Sequence, residues 1–260
     1  MDWIYISPHL DDVALSCGGR IWEQRQAGER VEIWTIFAGD APEGTLSPFA
    51  DVLHARWQTG REAMANRRLE DALSCARIHA SYRHFPYPDC IYRRVQRTVE
   101  EREEKEEIDH TGEGEFLYTS HQSLFGPIHP VEDSFMERLS LELAQKLPQG
   151  AELACPLTMG RHVDHRLTRA AMEKLGRPLW YYADFPYVLD CQEEIEALER
   201  AGWKSNLVPV SQAGFEAWEE AVASHQSQIS SFWSDLEAMR TAIRSYMEYF
   251  DGAILWQPLG

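Results

Sequence analysis

The sequence predicts an α/β domain in which helices cover both faces of a mostly parallel sheet. Strand-like and helix-like segments alternate along the 260 residues, which is the pattern that parallel strands with crossover helices produce. Residues 31–38 form a nearly continuous apolar run, as expected for a strand buried on both faces. Hydrophobic residues make up 44% of the chain, and the length favours one α/β domain over two small ones.

The N-terminal segment contains one strand–helix–strand unit. Residues 3–6 are a short β-type run that ends at Ser7-Pro8. From Asp12 to Gln26 apolar residues recur at helical spacing, and Gly28 marks the end of the helix. The strand of residues 31–38 completes the unit.

Later segments repeat this alternation. We predict helices at residues 61–76, 134–146, 165–175 and, with a break near Ser230, 215–249, and strands at residues 82–85, 152–155, 179–183 and 203–210. The stretch from about 94 to 130 differs, because an acidic run at 100–107 is followed by several glycines and prolines. We interpret this stretch as an insertion or lid within a single domain that spans residues 1–260.

Charge and composition limit the classes of partner. The formal net charge is −17, which argues against nucleic acid and anionic membranes because both require basic surfaces. No apolar run is long enough to span a bilayer, and the chain opens on a strand pattern instead of a leader. The five cysteines include no Cys-x-x-Cys pair, so we expect no disulfide framework and a reducing, cytoplasmic location. A homo-oligomer is compatible with the sequence.

A first cluster of ionisable side chains follows the first strand. His9, Asp11 and Asp12 lie where that strand ends and its helix begins. Ligands of open α/β sheets bind beyond the carboxyl ends of the strands, and a cation relieves the repulsion between adjacent carboxylates. The alternative is that an aspartate caps the helix by accepting from backbone N–H groups.

A second cluster, His162, Asp164 and His165, follows the strand of residues 152–155. The alternative is a surface loop with chance histidines, since the chain has ten. Catalytic zinc takes three protein ligands and leaves one position for water, and two histidines with one carboxylate are a common set. Together the two clusters contain two histidines and a carboxylate for such a metal site, and they also contain further carboxylates and one further histidine.

The further carboxylates and histidine are the groups that hydrolysis by a metal-bound water requires. One carboxylate can take a proton from the attacking water, and one histidine can donate to the oxyanion or to the leaving nitrogen. Asp164 can hold such a histidine in its charged form, because a nearby carboxylate raises a histidine pKa. The spacing alone does not decide which of the adjacent aspartates binds the metal.

The segment Pro8-His9-Leu10-Asp11-Asp12, followed by Cys17-Gly18-Gly19, resembles the Pro-His-x-Asp-Asp signature of the PIG-L (LmbE-like) N-acetylglucosaminyl deacetylase family. His162-Val163-Asp164-His165 resembles the family's second motif, His-x-Asp-His. The order and wide separation of the two motifs make the pair specific. The resemblance continues in four further segments: 67–72, Pro88-Asp89, 184–187 and 225–228.

The resemblance implies a Rossmann-like three-layer α/β/α fold and metal-dependent removal of an N-acetyl group from an N-acetylglucosamine-type sugar or conjugate. It implies that His9, Asp12 and His165 bind the metal and that Asp11 is the general base. The metal would be Zn²⁺, although Fe²⁺ accepts the same ligands.

The remaining site residues follow from the same resemblance and from their positions. His162, with Asp164 behind it, would stabilise the oxyanion or protonate the amine. Arg67 and Asp89 would contact the sugar, and Asp184 ends a strand and so would point near the same crevice, although a helix cap or turn is an alternative role for it.

One position departs from the family. Some members have a tyrosine where this chain has Gly160, so a tyrosine hydroxyl donor would have to come from elsewhere in the sequence.

Two other functions fit parts of the pattern. Two histidines and a carboxylate also form the facial triad of non-haem iron oxygenases, but that triad usually lies on a β-barrel and would leave Asp12 and His162 without roles. A catalytically silent binding protein could retain the same site, although the presence of Asp11 argues against it.

Overall fold

The computed structural model describes residues 1–97, 106–109 and 114–259. The strands are β1 (Asp2–Ser7), β2 (Arg30–Thr35), β3 (Ser81–His84), β4 (Arg94–Arg97), β5 (Glu106–Asp109), β6 (Glu115–Phe116), β7 (Glu152–Pro156), β8 (Trp180–Tyr182), β9 (Lys204–Val208) and β10 (Ala253–Gln257). The α-helices are α1 (Asp12–Gln26), α2 (Pro48–Arg56), α3 (Ala63–Arg77), α4 (His121–Leu124), α5 (Asp133–Lys146), α6 (Val163–Glu173), α7 (Gln192–Arg200), α8 (Gln212–Ala223), α9 (Gln226–Phe232) and α10 (Leu236–Phe250).

Seven strands form the central sheet in the order β3-β2-β1-β7-β8-β10-β9. The first five of these are mutually parallel, and β10 pairs antiparallel with both β8 and β9. This architecture confirms the predicted α/β fold with a mostly parallel sheet.

Helices cover both faces of the sheet, and the alternation of side chains along β1 shows how. Tyr5 packs in a buried cluster with Val13 of α1. Ile6 faces the other way and belongs to the cluster that contains Leu139 of α5 and Leu167 of α6. Successive residues of a strand point to opposite faces, so one strand contributes to both halves of the core.

The order in which the chain adds strands to the sheet switches sides at β1, between β1 and β7. From β1 it proceeds outward to β2 and β3, and it later returns to place β7 on the other side of β1. The carboxyl ends of two such strands open a crevice, which is where ligands of α/β sheets bind. The two predicted clusters of ionisable residues follow these two strands.

The interval predicted to be an insertion or lid contains a second, antiparallel sheet in the order β5-β4-β6 and the short helix α4. Val95 and Ile108 of this sheet are buried, so the strands are anchored by apolar packing. The acidic run of residues 100–107 lies outside the described residues, apart from the backbone of its last two positions, which begin β5.

The predicted elements are present, with boundaries that shift by three residues or fewer. The structure adds α2, α7 and β10, and it divides the predicted helix of residues 215–249 into α8, α9 and α10. All five cysteine thiols are free. Among the described residues no helix is long and apolar enough to cross a bilayer.

Candidate functional site

A cavity of about 230 Å³ lies at the carboxyl ends of β1 and β7. All the site residues predicted from the sequence line it except Asp164 and Asp184: His9, Asp11, Asp12, Arg67, Asp89, His162 and His165. The fold therefore brings two motifs more than 150 residues apart to one place, because their strands are neighbours in the sheet.

Asp12 lies between two histidines. His9 Nδ1 is 3.3 Å from Asp12 Oδ2, and His165 Nε2 is 3.2 Å from Asp12 Oδ1. Bonds of about 2.0–2.1 Å to a tetrahedral zinc place neighbouring ligand atoms about 3.3 Å apart, so each separation matches one edge of such a site. Although burial raises its pKa, the charge of His165 and hydrogen bonds to both histidines hold the pKa of Asp12 well below its usual range.

Each of these histidines contacts a second carboxylate through its other ring nitrogen. His9 Nε2 is 3.0 Å from Asp164 Oδ2, and His165 Nδ1 is 2.6 Å from Asp184 Oδ1. Metal-bound histidines almost always donate their remaining N–H in this way, which fixes the tautomer and the ring orientation. The contacts leave Nδ1 of His9 and Nε2 of His165 directed towards Asp12.

Asp11 does not act as a helix cap. It occupies the N-cap position of α1, but its side chain accepts no capping hydrogen bond. Ser7 takes that role, since its Oγ accepts from the backbone N–H of Val13 at 3.2 Å. Burial and the neighbouring charge of Asp12 raise the pKa of Asp11 to about 6, although the charge of Arg67 opposes this shift.

Acidic groups outnumber arginines around the cavity. Five buried carboxylates, those of Asp11, Asp12, Asp89, Asp164 and Asp184, surround the two histidines, whereas the buried guanidinium groups here are those of Arg67 and Arg93. Although burial lowers the pKa of His165, the carboxylates of Asp12 and Asp184 raise that pKa to about 10. A buried excess of carboxylates around two imidazole rings is a composition that fits a divalent cation.

The His162 side chain lines the cavity with one ring nitrogen already hydrogen-bonded. Burial, followed by the charge of His9, holds the pKa of His162 well below its usual range. Its Nδ1 accepts from the backbone N–H of Asp164 at 3.2 Å, so in the neutral ring the proton resides on Nε2. The side chain lines the cavity and can offer that proton to a ligand oxygen.

Asp164 does not hold His162 in a charged form, which corrects the expectation from the sequence. Its carboxylate lies 3.0 Å from His9 Nε2, accepts from the backbone N–H of Cys90 at 3.0 Å, and forms an ion pair with Arg93. Asp184 is likewise only 2% exposed and accepts from His165 and from the backbone N–H of Met159. The structure therefore places Asp164 beside His9 and Asp184 beside His165, each on the ring nitrogen that faces away from Asp12.

Arg67 contacts two aspartates and a tryptophan of the cavity lining. Its guanidinium lies 3.6 Å from Asp11 Oδ1 and 3.8 Å from Asp89 Oδ2. It also stacks over the Trp57 ring, 5.1 Å from the centroid. Because it is buried between carboxylates and an aromatic ring, Arg67 has one defined position beside Asp11.

Comparison with known proteins identifies the family of the chain. Residues 4–175 match the PIG-L family, described as GlcNAc-PI de-N-acetylase. The chain belongs to the PIG-L family.

The relatives of this PIG-L protein include deacetylases. The 2'-N-acetylparomamine deacetylase of Niallia circulans is 27% identical over 233 residues, which cover 78% of this chain and 72% of that protein. The zinc-inhibited form of teicoplanin deacetylase superposes with a TM-score of 0.71 at 21% identity, covering 99% of this chain and 97% of that one. The A40926 pseudoaglycone deacetylase has a TM-score of 0.66 at 23% identity, covering 98% and 95%. At these identities the solved structures establish the shared fold.

Sequence reasoning missed Arg93. This PIG-L chain buries Arg93 completely, and its Nε lies 2.6 Å from Glu132 Oε1 while its Nη2 donates to Asp164. The hydroxyl of Tyr118 also donates to Glu132. Two adjacent arginines, Arg93 and Arg94, are typical of an exposed segment. The burial of Arg93 follows from its ion pair with Asp164, which is distant in sequence.

Sequence reasoning also missed Tyr187 as a cavity residue. Its ring packs against Gly160, where any larger side chain would collide with it, and the residue lines the cavity. Its hydroxyl has no hydrogen-bond partner within residues 1–97, 106–109 and 114–259. Burial and the charges of Asp12 and Asp11 raise the pKa of Tyr187, so the hydroxyl stays protonated and is available as a donor.

Proposed function

We propose that this protein is a metal-dependent deacetylase that hydrolyses the N-acetyl group of an N-acetylglucosamine-type sugar or conjugate. The observation that carries the proposal is the arrangement of His9 and His165, each with a carboxylate on its far nitrogen and with Asp12 between their near nitrogens. The relatives named above, a 2'-N-acetylparomamine deacetylase and a teicoplanin deacetylase, support the same class of reaction.

His9 Nδ1, Asp12 and His165 Nε2 would hold the metal, which we propose to be Zn²⁺, with Fe²⁺ compatible with the same donors. When bound, such a cation polarises the amide carbonyl and lowers the pKa of water. Asp164 and Asp184 orient the two histidines, so we assign both of them positioning roles, and for Asp184 this replaces the predicted contact with sugar.

Asp11 is the proposed general base. It lies next to Asp12 but is free of capping contacts, so its carboxylate can accept a proton from the attacking water. The water oxygen forms a bond to the acetyl carbon, and the C–N bond then breaks as the nitrogen receives a proton. The products are acetate and a primary amine, and Arg67 at 3.6 Å holds Asp11 in position throughout.

Two donors face the developing oxyanion in this proposal. His162 presents Nε2–H because its Nδ1 accepts a backbone hydrogen bond. Tyr187, which also lines the cavity, would present a protonated hydroxyl. Preorganised donors of this kind typically contribute 10²–10³-fold each to the rate, about 2.7–4 kcal/mol. Arg67 and Asp89 remain available to contact the sugar.

The two alternatives differ from this proposal in what they require. An iron oxygenase would normally place its triad on a β-barrel, whereas these ligands lie on a mostly parallel α/β sheet. A silent binding protein would give Asp11 no chemical role. The cytoplasmic location and the homo-oligomeric state stay predictions.

The test is acetate release from a panel of N-acetylated amino sugars. The protein is stripped of metal and then reloaded with one equivalent of Zn²⁺ or Fe²⁺, because teicoplanin deacetylase has a zinc-inhibited form. We expect acetate and free amine in equal amounts and no consumption of 2-oxoglutarate. If the reloaded protein releases no acetate from any amide, and Asp11→Asn behaves identically, the deacetylase proposal is wrong.

A further inference from the structure

A second pocket adjoins the loop that joins β7 to α6. Its walls come from that loop, from α6 and from α7, and its volume is about 470 Å³. We call it the arginine pocket and define it by Thr158, Gly160, Arg161, Arg166, Arg169 and Glu194. The volume lies within the roughly 300–1,000 Å³ of typical small-molecule sites, so the pocket can hold a small ligand.

Arginines dominate the ionisable lining of this pocket. Three arginines and one glutamate line it, although the whole chain carries a formal net charge of −17. The cavity at the carboxyl ends of β1 and β7 has the opposite balance, with three aspartates and two arginines in its lining. Because lining charges of one sign attract a ligand of the other sign, the arginine pocket favours an anion.

Arg166 is a half-buried cation without an acidic partner in the described part of the chain. Its Nη1 donates to the Gly126 carbonyl at 3.0 Å, which holds the guanidinium in place. Arg169 differs, because its Nε donates to Glu173 and its Nη1 to the Leu157 carbonyl, each at 2.8 Å. Arg169 therefore supports the wall, whereas the charge of Arg166 is left for a ligand to compensate.

Arg161 lies on the rim of the pocket and is only loosely paired. Its Nη2 is 3.8 Å from Glu194 Oε1, and both side chains are exposed. Thr158 and Arg161 have a φ of +65° each, which is uncommon for residues other than glycine. The N–H of Arg161 donates to the Thr158 carbonyl at 3.1 Å, so a tight turn places Arg161 at the rim.

We propose that the arginine pocket binds a phosphate dianion, either free phosphate or the phosphomonoester group of a small molecule, between Arg161 and Arg166. Guanidinium groups donate paired hydrogen bonds to phosphate oxygens. A phosphomonoester carries a charge of about −1.5 to −2 at neutral pH, enough to compensate both arginines and to compete with Glu194 for Arg161. This site goes beyond the proposed deacetylase function and does not depend on it.

The position of the pocket connects it to the catalytic loop. Gly160 lines the arginine pocket, and the Tyr187 ring that packs against Gly160 lines the cavity of the candidate metal site. A phosphate held by Arg161 would therefore contact the turn beside Tyr187 and His162 without entering that cavity.

The experiment is calorimetric titration of the metal-loaded protein, at constant ionic strength, with three probes: inorganic phosphate, glycerol 2-phosphate and dimethyl phosphate. We expect the first two to bind with a dissociation constant of about 1 mM or lower. Dimethyl phosphate, a phosphodiester with one charge and two blocked oxygens, should bind at least about tenfold more weakly, because charge-assisted hydrogen bonds are lost.

The double variant Arg161→Gln/Arg166→Gln should weaken binding of glycerol 2-phosphate by about tenfold or more. The matched control, Arg77→Gln/Arg244→Gln, removes two exposed arginines outside the pocket. It should leave the affinity within about twofold, because distant exposed charges are screened by salt. Thermal unfolding without ligand verifies folding, and Arg161→Gln alone, which changes an exposed side chain, should still weaken binding by about threefold.

Three results would overturn the inference. They are the absence of saturable binding by both phosphate and glycerol 2-phosphate, equal or tighter binding of dimethyl phosphate, and equal affinity in the unaltered protein and the pocket variants. Phosphate bound to a metal at the candidate metal site would produce the last result, because that binding does not involve Arg161 or Arg166. Acetate release plays no part in these measurements, so their failure leaves the deacetylase proposal unchanged.

Discussion

The ring of Tyr187 lies directly over Gly160, so that a Cβ atom on residue 160 would come within 2.5 Å of Tyr187 Cγ. Gly160 also has a φ of +61°, which is accessible to glycine without steric cost. The glycine therefore does two things: it permits the turn that precedes His162, and it leaves the space in which the aromatic ring reaches the cavity. Where some family members have tyrosine at this position, here a tyrosine from another segment occupies that space.

Gly160→Ala should lower kcat by about tenfold or more while the protein stays folded, because the new methyl group must displace the Tyr187 ring, a preorganised donor. Gly176→Ala is the matched control, since Gly176 has a φ of +63° and nothing within 4 Å of an added Cβ. Both substitutions incur a similar backbone cost of about 1–2 kcal/mol, because alanine is disfavoured at positive φ, and thermal unfolding measures this cost. Equal losses of activity in the two variants would show that the Tyr187 contact has no part in the reaction.

Asp164→Asn and Asp184→Asn should each weaken Zn²⁺ binding by about 10–100-fold, because each removes the carboxylate that orients a metal-facing histidine. Competition titration with a chromophoric chelator measures the affinity. Asp190→Asn, which alters an exposed carboxylate outside the cavity, serves as the control. Unchanged affinity in both site variants would contradict the ligand assignment of His9 and His165.

Arg93→Met should lower the free energy of unfolding by about 3–5 kcal/mol, because it leaves Glu132 and Asp164 buried without their cationic partner. Denaturant titration measures this loss. In Arg200→Met the lost ion pair, with Glu196, is exposed, and the expected loss is no more than about 0.5 kcal/mol. If the two variants lose similar amounts of unfolding free energy, the buried contacts of Arg93 with Glu132 and Asp164 do not contribute to stability as we expect.

The placement of the site could be predicted because it depends on strand order and on local sequence. His9, Asp11 and Asp12 follow one strand, His162 and His165 follow its neighbour, and the carboxyl ends of parallel strands meet at one edge. The position of β10 could not be predicted, since the antiparallel pairing of a short C-terminal run with β8 depends on contacts across the whole sheet.

The contacts of the residues around the predicted ligands could not be predicted from the sequence either. Asp164 is two residues from His162, yet the first turn of α6 directs its carboxylate to His9, where Arg93 from a distant segment balances its charge. The contact between Tyr187 and Gly160 joins two loops through packing alone. Such long-range contacts have no periodicity or spacing that a single sequence displays.

The division of labour between Asp11 and Asp12 is the central claim, and metal content measured beside activity tests it most directly. Asp11→Asn should retain one equivalent of Zn²⁺ and lose about 10²–10⁴-fold in kcat, as expected for removal of a general base. Asp12→Asn should lose the metal, because Asp12 is the carboxylate that lies 3.3 and 3.2 Å from the two histidine nitrogens. If Asp11→Asn empties the site while Asp12→Asn keeps the metal, the two roles are reversed and the account is wrong.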